Sequence, residues 1–306
     1  MRSMERVECH TVIAVITSVV LLAECARGDD FAHAVLSYSP GTNAANGFTN
    51  PLVALGPPER FTGEGIDPGA VTPFQPCFGT NEIVSIGAGG QLTLGFSPPL
   101  RDDPRNPFGI DFVVFGNSFF TDSSFPSGVV GALAADGGTI QVSADGTTWI
   151  TVGNVLADGL FPTMGWIDAS PYSPVIGQIA TDAHKPVNPS WTTATLAGKS
   201  YDELVIIYAG SAGGAGVDLA SVGLTEVVAV RIAVPSGFHP NVEIDAISRV
   251  FPLSAPADLD GNGTVDAADL ALLLAAFGTN SPAADIDQSG MVDGLDLATV
   301  LAGWSP

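Results

Sequence analysis

Short runs of alternating or continuous apolar residues, broken by Gly, Pro and Asp, fill most of the chain. Residues 91–96 (QLTLGF) alternate polar and apolar and then meet Pro98-Pro99, which predicts a strand that stops there. Residues 110–115 (IDFVVF), 204–208 (LVIIY), 227–234 (VVAVRIAV) and 242–250 (VEIDAISRV) read as further strands. Residues 139–143 and 148–152 flank Ala144-Asp145-Gly146-Thr147, and Asp-Gly between two such runs predicts a hairpin, because its turn needs positive φ. Long helical periodicity is missing from this part. Many short strands with Gly/Pro turns predict a mainly β body over residues 29–252, a β-sandwich of jelly-roll type. Its long segments 121–127, 159–173 and 184–191 carry or adjoin Phe119, Phe120, Phe125, Trp166, Tyr172 and Trp191. Those rings either form a sugar- or peptide-binding face or pin the loops to the sandwich.

The pattern changes after a short linker, residues 253–256. Asp258, Asp260, Asn262, Thr264, Asp266 and Asp269 stand at positions 1, 3, 5, 7, 9 and 12 of one loop, with Gly263 at position 6. A second loop carries Asp285, Asp287, Ser289, Met291, Asp293 and Asp296 at the same positions, with Gly290 at position 6. This is the oxygen spacing that wraps one Ca²⁺, with position 7 (Thr264, Met291) offering its backbone carbonyl and position 6 bending sharply. The loops therefore predict two calcium ions. Position 12 is Asp, one carbon shorter than the usual Glu, so the following helix must sit closer to the ion. Apolar residues at helical spacing follow each loop, first Leu270, Leu273, Leu274 and Phe277, then Leu297, Val300, Leu301 and Trp304. Val265 and Val292, at position 8, are expected to pair across the loops.

Near the start, residues 11–23 (TVIAVITSVVLLA) follow Arg2 and Arg6 and precede Ala26-Arg27-Gly28. The run is too short to span a bilayer, and small residues precede a cut before Asp29, so residues 1–28 read as a secretory signal peptide. Glu24 before Cys25 is the wrong size for a lipoprotein cut. A secreted chain without a membrane span in its mature part follows. Cleavage removes Cys9 and Cys25 and leaves Cys77, so no intramolecular disulfide forms and Cys77 reads as a small buried residue.

Charge narrows the partners. The 306 residues hold Lys+Arg 10 against Asp+Glu 32, a net charge of −22, which argues against nucleic acid and favours cations. No GxSxG elbow, HExxH helix or P-loop occurs, and His33, His184 and His239 lack ligand spacing. No catalytic residue is assigned and whether the chain is an enzyme stays open, although acidic residues abound.

Residues 54–58 (ALGPP), 60–64 (RFTGE), 81–87 (NEIVSIG) and 103–117 (DPRNPFGIDFVVFGN) resemble cell-surface proteins of planctomycete-like bacteria. The ending VRI…VEIDAISRV resembles the last strands of galactose-binding-like jelly rolls. The two loop–helix repeats of residues 257–306, with Asp at position 12 and no entry helix, resemble a type I dockerin. That resemblance implies calcium-dependent docking onto a cohesin-like domain of a scaffold or surface protein, often in polysaccharide breakdown. Positions 10 and 11, often Ser-Thr in cellulosomal dockerins, are Ala267-Ala268 and Gly294-Leu295 here. The expectation is a secreted protein in which a dockerin tethers a carbohydrate-binding sandwich. The alternative is a polysaccharide hydrolase with its site in the sandwich loops.

Overall fold

The computed structural model describes residues 30–306 except Glu64 and residues 238–240, 253–255, 261–263, 282, 288 and 305–306. The predicted signal peptide with Cys9 and Cys25, His239, Asn262, Gly263 and most of the linker lie outside the described residues.

The strands run in chain order β1 (Ala34–Ser39), β2 (Phe61–Thr62), β3 (Gly69–Ala70), β4 (Val84–Ile86), β5 (Gln91–Arg101), β6 (Phe112–Gly116) and β7 (Phe119–Asp122). They continue with β8 (Val130–Ala134), β9 (Gly137–Ser143), β10 (Ile150–Asp158), β11 (Ala215–Val217), β12 (Glu226–Ala233) and β13 (Val242–Arg249). Four helices accompany them: α1 (Thr193–Leu196), α2 (Tyr201–Tyr208), α3 (Ala267–Ala276) and α4 (Gly294–Ala302).

A five-stranded sheet, β1-β5-β12-β9-β10, packs on a four-stranded sheet, β11-β6-β13-β4. All their pairings are antiparallel, with Ile232 in register with Leu92 on one side and Ile140 on the other. Leu92, Leu94, Val230 and Ile232 from the first sheet share one core with Val84, Ile86, Phe112, Val114 and Ile244 from the second. This is the predicted mainly β sandwich. β9 and β10 form the predicted hairpin, where Gly146 has φ +76° and Asp145 accepts the Thr147 and Thr148 amides.

Two strand readings need correction. β5 does not stop at Pro98-Pro99 but continues to Arg101. Its pairing with β12 skips there, from Gly95 opposite Ala229 to Leu100 opposite Val227, so the prolines sit where the ladder asks for no N–H. Residues 204–208 are helical. Ser200 and Glu203 form a capping box at the start of α2, and Tyr201, Leu204 and Tyr208 share its buried face while Ile206 is 76% exposed. A continuous apolar run does not distinguish strand from helix, and the Ser200 cap four residues before Leu204 decides it. Because that cap satisfies otherwise orphaned amides, Ser200→Ala should cost about 1 kcal/mol. Thermal unfolding should show a fall of a few degrees that Ser200→Asn restores; an unchanged midpoint would remove the cap from the account.

Most of the loop aromatics pin loops. Phe120 is buried, Phe74 lies 6.3 Å from its ring and 6.2 Å from that of Tyr201, and Trp166 Nε1 donates to the Arg60 carbonyl. Trp191 packs against the same cluster. Phe125 differs, being 74% exposed while its ring lies 5.0 Å from that of Tyr172. Among the described residues no helix is long and apolar enough to cross a membrane.

Candidate metal centres

Both acidic loops end in helices, as their spacing predicts. Asp266 caps α3 and Asp293 caps α4, each in a capping box closed by the residue at position 12. Buried Asp269 accepts the Leu259 and Asp260 amides on Oδ1 and the Asp266 amide on Oδ2, at 2.6, 3.1 and 2.8 Å. Asp296, 27 residues on, repeats this with Ile286, Asp287 and Asp293 at 2.7, 3.2 and 2.8 Å. The shorter Asp is thus drawn into the loop's own amides, which is how the helix start comes close to it. Each position-12 carboxylate spends three of its roughly four lone-pair positions this way.

Asp258, Asp260 and Asp269 bring carboxylate oxygens within 4.8 Å of one another, and Asp285, Asp287 and Asp296 do the same. These triads could hold a metal ion. Asp285 accepts the Ser289 and Gly290 amides, and Gly290 has φ +96°, the bend foreseen at position 6. Ser289 Oγ donates to the Met291 carbonyl. Asp266 and Asp293 stand outside the triads, as helix caps. Burial raises the Asp269 carboxyl, but its amide donors outweigh that and leave it below the usual range. In Asp296 the Asp293 amide leads the lowering against burial.

Val265 and Val292 are both buried in one small core with Leu273 and Val300. The Val292 N–H donates to the Thr279 carbonyl and its carbonyl accepts the Gly278 amide. The chain between the repeats folds back onto the second loop and takes those groups. Leu270 and Leu297 pack partly against this core, whereas Leu272, Leu274, Phe277, Leu295, Leu301 and Trp304 are exposed.

The sandwich holds a second acidic group that sequence reading missed. Buried Asp158 accepts the Ser118 amide at 2.7 Å and the Asp136 amide at 2.7 Å. It fits because Gly116 has no side chain, since a Cβ there would lie 2.5 Å from Asp158 Oδ1. Glu243 accepts from Ser85 Oγ and shares a hydrogen bond with Asp136. Burial and the Asp136 charge push Glu243 up to about 8, and burial pushes Asp158 up to about 6. Asp136 and Asp158 line a cavity of about 460 Å³ with Leu133, Leu156 and Phe161. No sequence signal joins these acids, because β9, β10 and β13 meet only in the folded sandwich.

Cys77 is fully buried, and burial raises its thiol well above the ordinary value. His33 is exposed, while His184 lies between the rings of Phe31 and Phe251 with Nδ1 2.9 Å from the Arg249 carbonyl. No protein-family model matches the chain, and no curated protein matches it.

Proposed function

We propose that the chain is a secreted or cell-surface protein whose tail, residues 257–306, binds two Ca²⁺ as a type I dockerin-like module. That tail tethers the sandwich, read as a galactose-binding-like jelly roll that recognises polysaccharide, to a cohesin-type partner. The observation that carries this reading is repetition: two acid triads, each closed by the same three amide bonds onto a helix start. The donors are all hard oxygens, which suit Ca²⁺. The exposed Leu and aromatic side chains of α3, α4 and their ends give the tail an apolar face for a partner. The full chain should be retained by an immobilised cohesin module in calcium and released by a chelator, and a chain ending at Pro252 should not be retained. Equal retention in chelator would sink the tether.

A hydrolase is the second reading, favoured by the raised Asp158 carboxyl lining the cavity and the raised Glu243 carboxyl hydrogen-bonded to Asp136 of the same lining. Release of reducing sugar from a polysaccharide, abolished by Asp158→Asn, would replace the first reading with this one.

A further inference from the structure

The sandwich carries a third acid triad, far from the tail in sequence. Asp102 follows the last residue of β5, in the five-stranded sheet. Asp111 precedes the first residue of β6, and Asp218 follows the last residue of β11, both in the four-stranded sheet. Oxygens of the three lie within 4.8 Å of one another, and Asp111 is 1% exposed. Among the described residues none of the three forms a salt bridge, and the nearby Arg105 pairs with Asp103 at 2.7 Å. Three carboxylates therefore converge where the two sheets meet, with no side-chain cation among the described residues paired to any of them.

A separate observation points to what belongs there. Asn106 is 5% exposed and reaches into the triad, its Nδ2 donating to Asp111 Oδ1 at 2.8 Å. Its amide oxygen is buried without a hydrogen-bond partner. A buried carbonyl without a partner loses its hydration with nothing in return, so a group that satisfies it stabilises the fold. Asp111 Oδ1 also accepts the Asp103 amide at 3.0 Å, and Oδ2 accepts the Leu219 amide at 2.8 Å. Asp218 Oδ1 accepts the Ala220 amide at 2.8 Å. A proton on Asp111 would compete with the N–H donors already on both its oxygens. A cation instead answers the excess charge and the orphaned carbonyl together.

We infer that Asp102, Asp111, Asp218 and the Asn106 side-chain oxygen form a calcium site that clips the two sheets of the sandwich together. The donors are hard oxygens, and their spread fits within twice the Ca–O distance of about 2.3–2.6 Å. Backbone carbonyls and water complete the six to eight oxygens that Ca²⁺ takes. The site does not depend on the reading of the tail.

The test counts ions on the full chain, by equilibrium dialysis or titration calorimetry with CaCl₂. Asp258→Ala with Asp285→Ala disables both tail loops, and this double variant should still bind one Ca²⁺. Adding Asp218→Asn should weaken that ion at least tenfold. Calcium should also raise the thermal midpoint of the sandwich by roughly 5 °C or more at a hundredfold excess over Kd, and Asp218→Asn should shrink that rise at the same calcium concentration. Asp102→Asn, half-buried and on the other sheet, is read in the same way should Asp218→Asn fail to fold. No calcium bound to the double variant would overturn the site and leave a buried water as the partner of Asn106. Binding unaffected by both asparagine variants would overturn it as well.

Discussion

Removing calcium should unfold residues 257–306. The segment is too short to bury much core, and among the described residues its own cluster holds six buried apolar side chains: Ala257, Val265, Leu273, Ala284, Val292 and Val300. Without a cation each triad sets three carboxylates within 4.8 Å of one another. A ligand bound only by the folded form contributes about 2.7 kcal/mol at a hundredfold excess over Kd, and two ions about twice that. A marginal fold of this size depends on such a contribution. Circular dichroism of the isolated tail should therefore show little helix in chelator and gain α3 and α4 on titration. Extracellular modules of this loop type bind around 10⁻⁴ to 10⁻³ M, so the titration must reach millimolar calcium. Asp258→Ala should damage folding more than Asp285→Ala, because the second loop has Ser289 where the first has Asn262, a shorter and weaker ligand. Equal helicity with and without calcium would remove the metal from the account. A larger effect of Asp285→Ala would reverse the order of the loops.

The sandwich should become less stable as pH rises from about 5 to about 8. Glu243 keeps its proton in the folded chain up to about 8 and loses it near 4.3 when unfolded. A raised carboxyl contributes its full stability below the unfolded pKa and loses it as pH climbs toward the folded one. Asp158, pushed up to about 6, acts in the same direction over the lower part of that window. The cause is local: Asp136, Asp158 and Glu243 meet in a half-buried space where one proton replaces a third charge. Allowing for the solvent that still reaches Glu243, the loss is on the order of 2 kcal/mol. Glu243→Gln keeps the shape and a donor without the charge, so it should flatten the pH profile and raise the midpoint at pH 8. The measurement is thermal unfolding of the full chain in chelator at a series of pH values. A profile with the same slope in Glu243→Gln would show that the pH dependence originates elsewhere.

The elements that could be read from the chain alone are those whose signal is local. Strand alternation in residues 91–96, the Asp145-Gly146 turn and the two acidic loops with their helices all depend on neighbours within about a dozen residues. Position 6 of the second loop needed φ +96°, and a glycine stands there. Residues 204–208 misled because five apolar residues suit either a strand or a helix. The decision came from Ser200 and Glu203 upstream and from a core that accepts Leu204 and Tyr208 on one face. Pro98-Pro99 ends a strand only if a partner asks for their N–H groups, and β5 itself bulges there, setting residues 96–99 against residue 228 of β12. The acids that gather in the sandwich were not legible at all. Asp111 and Asp218, or Asp158 and Glu243, are ordinary surface-type residues until β6, β10, β11 and β13 are laid side by side. Sequence determined which segments can turn, cap or wrap an ion, because those acts need only nearby backbone. Tertiary structure decided which carboxylates are buried together, because burial and charge proximity are properties of packed sheets and not of any one strand.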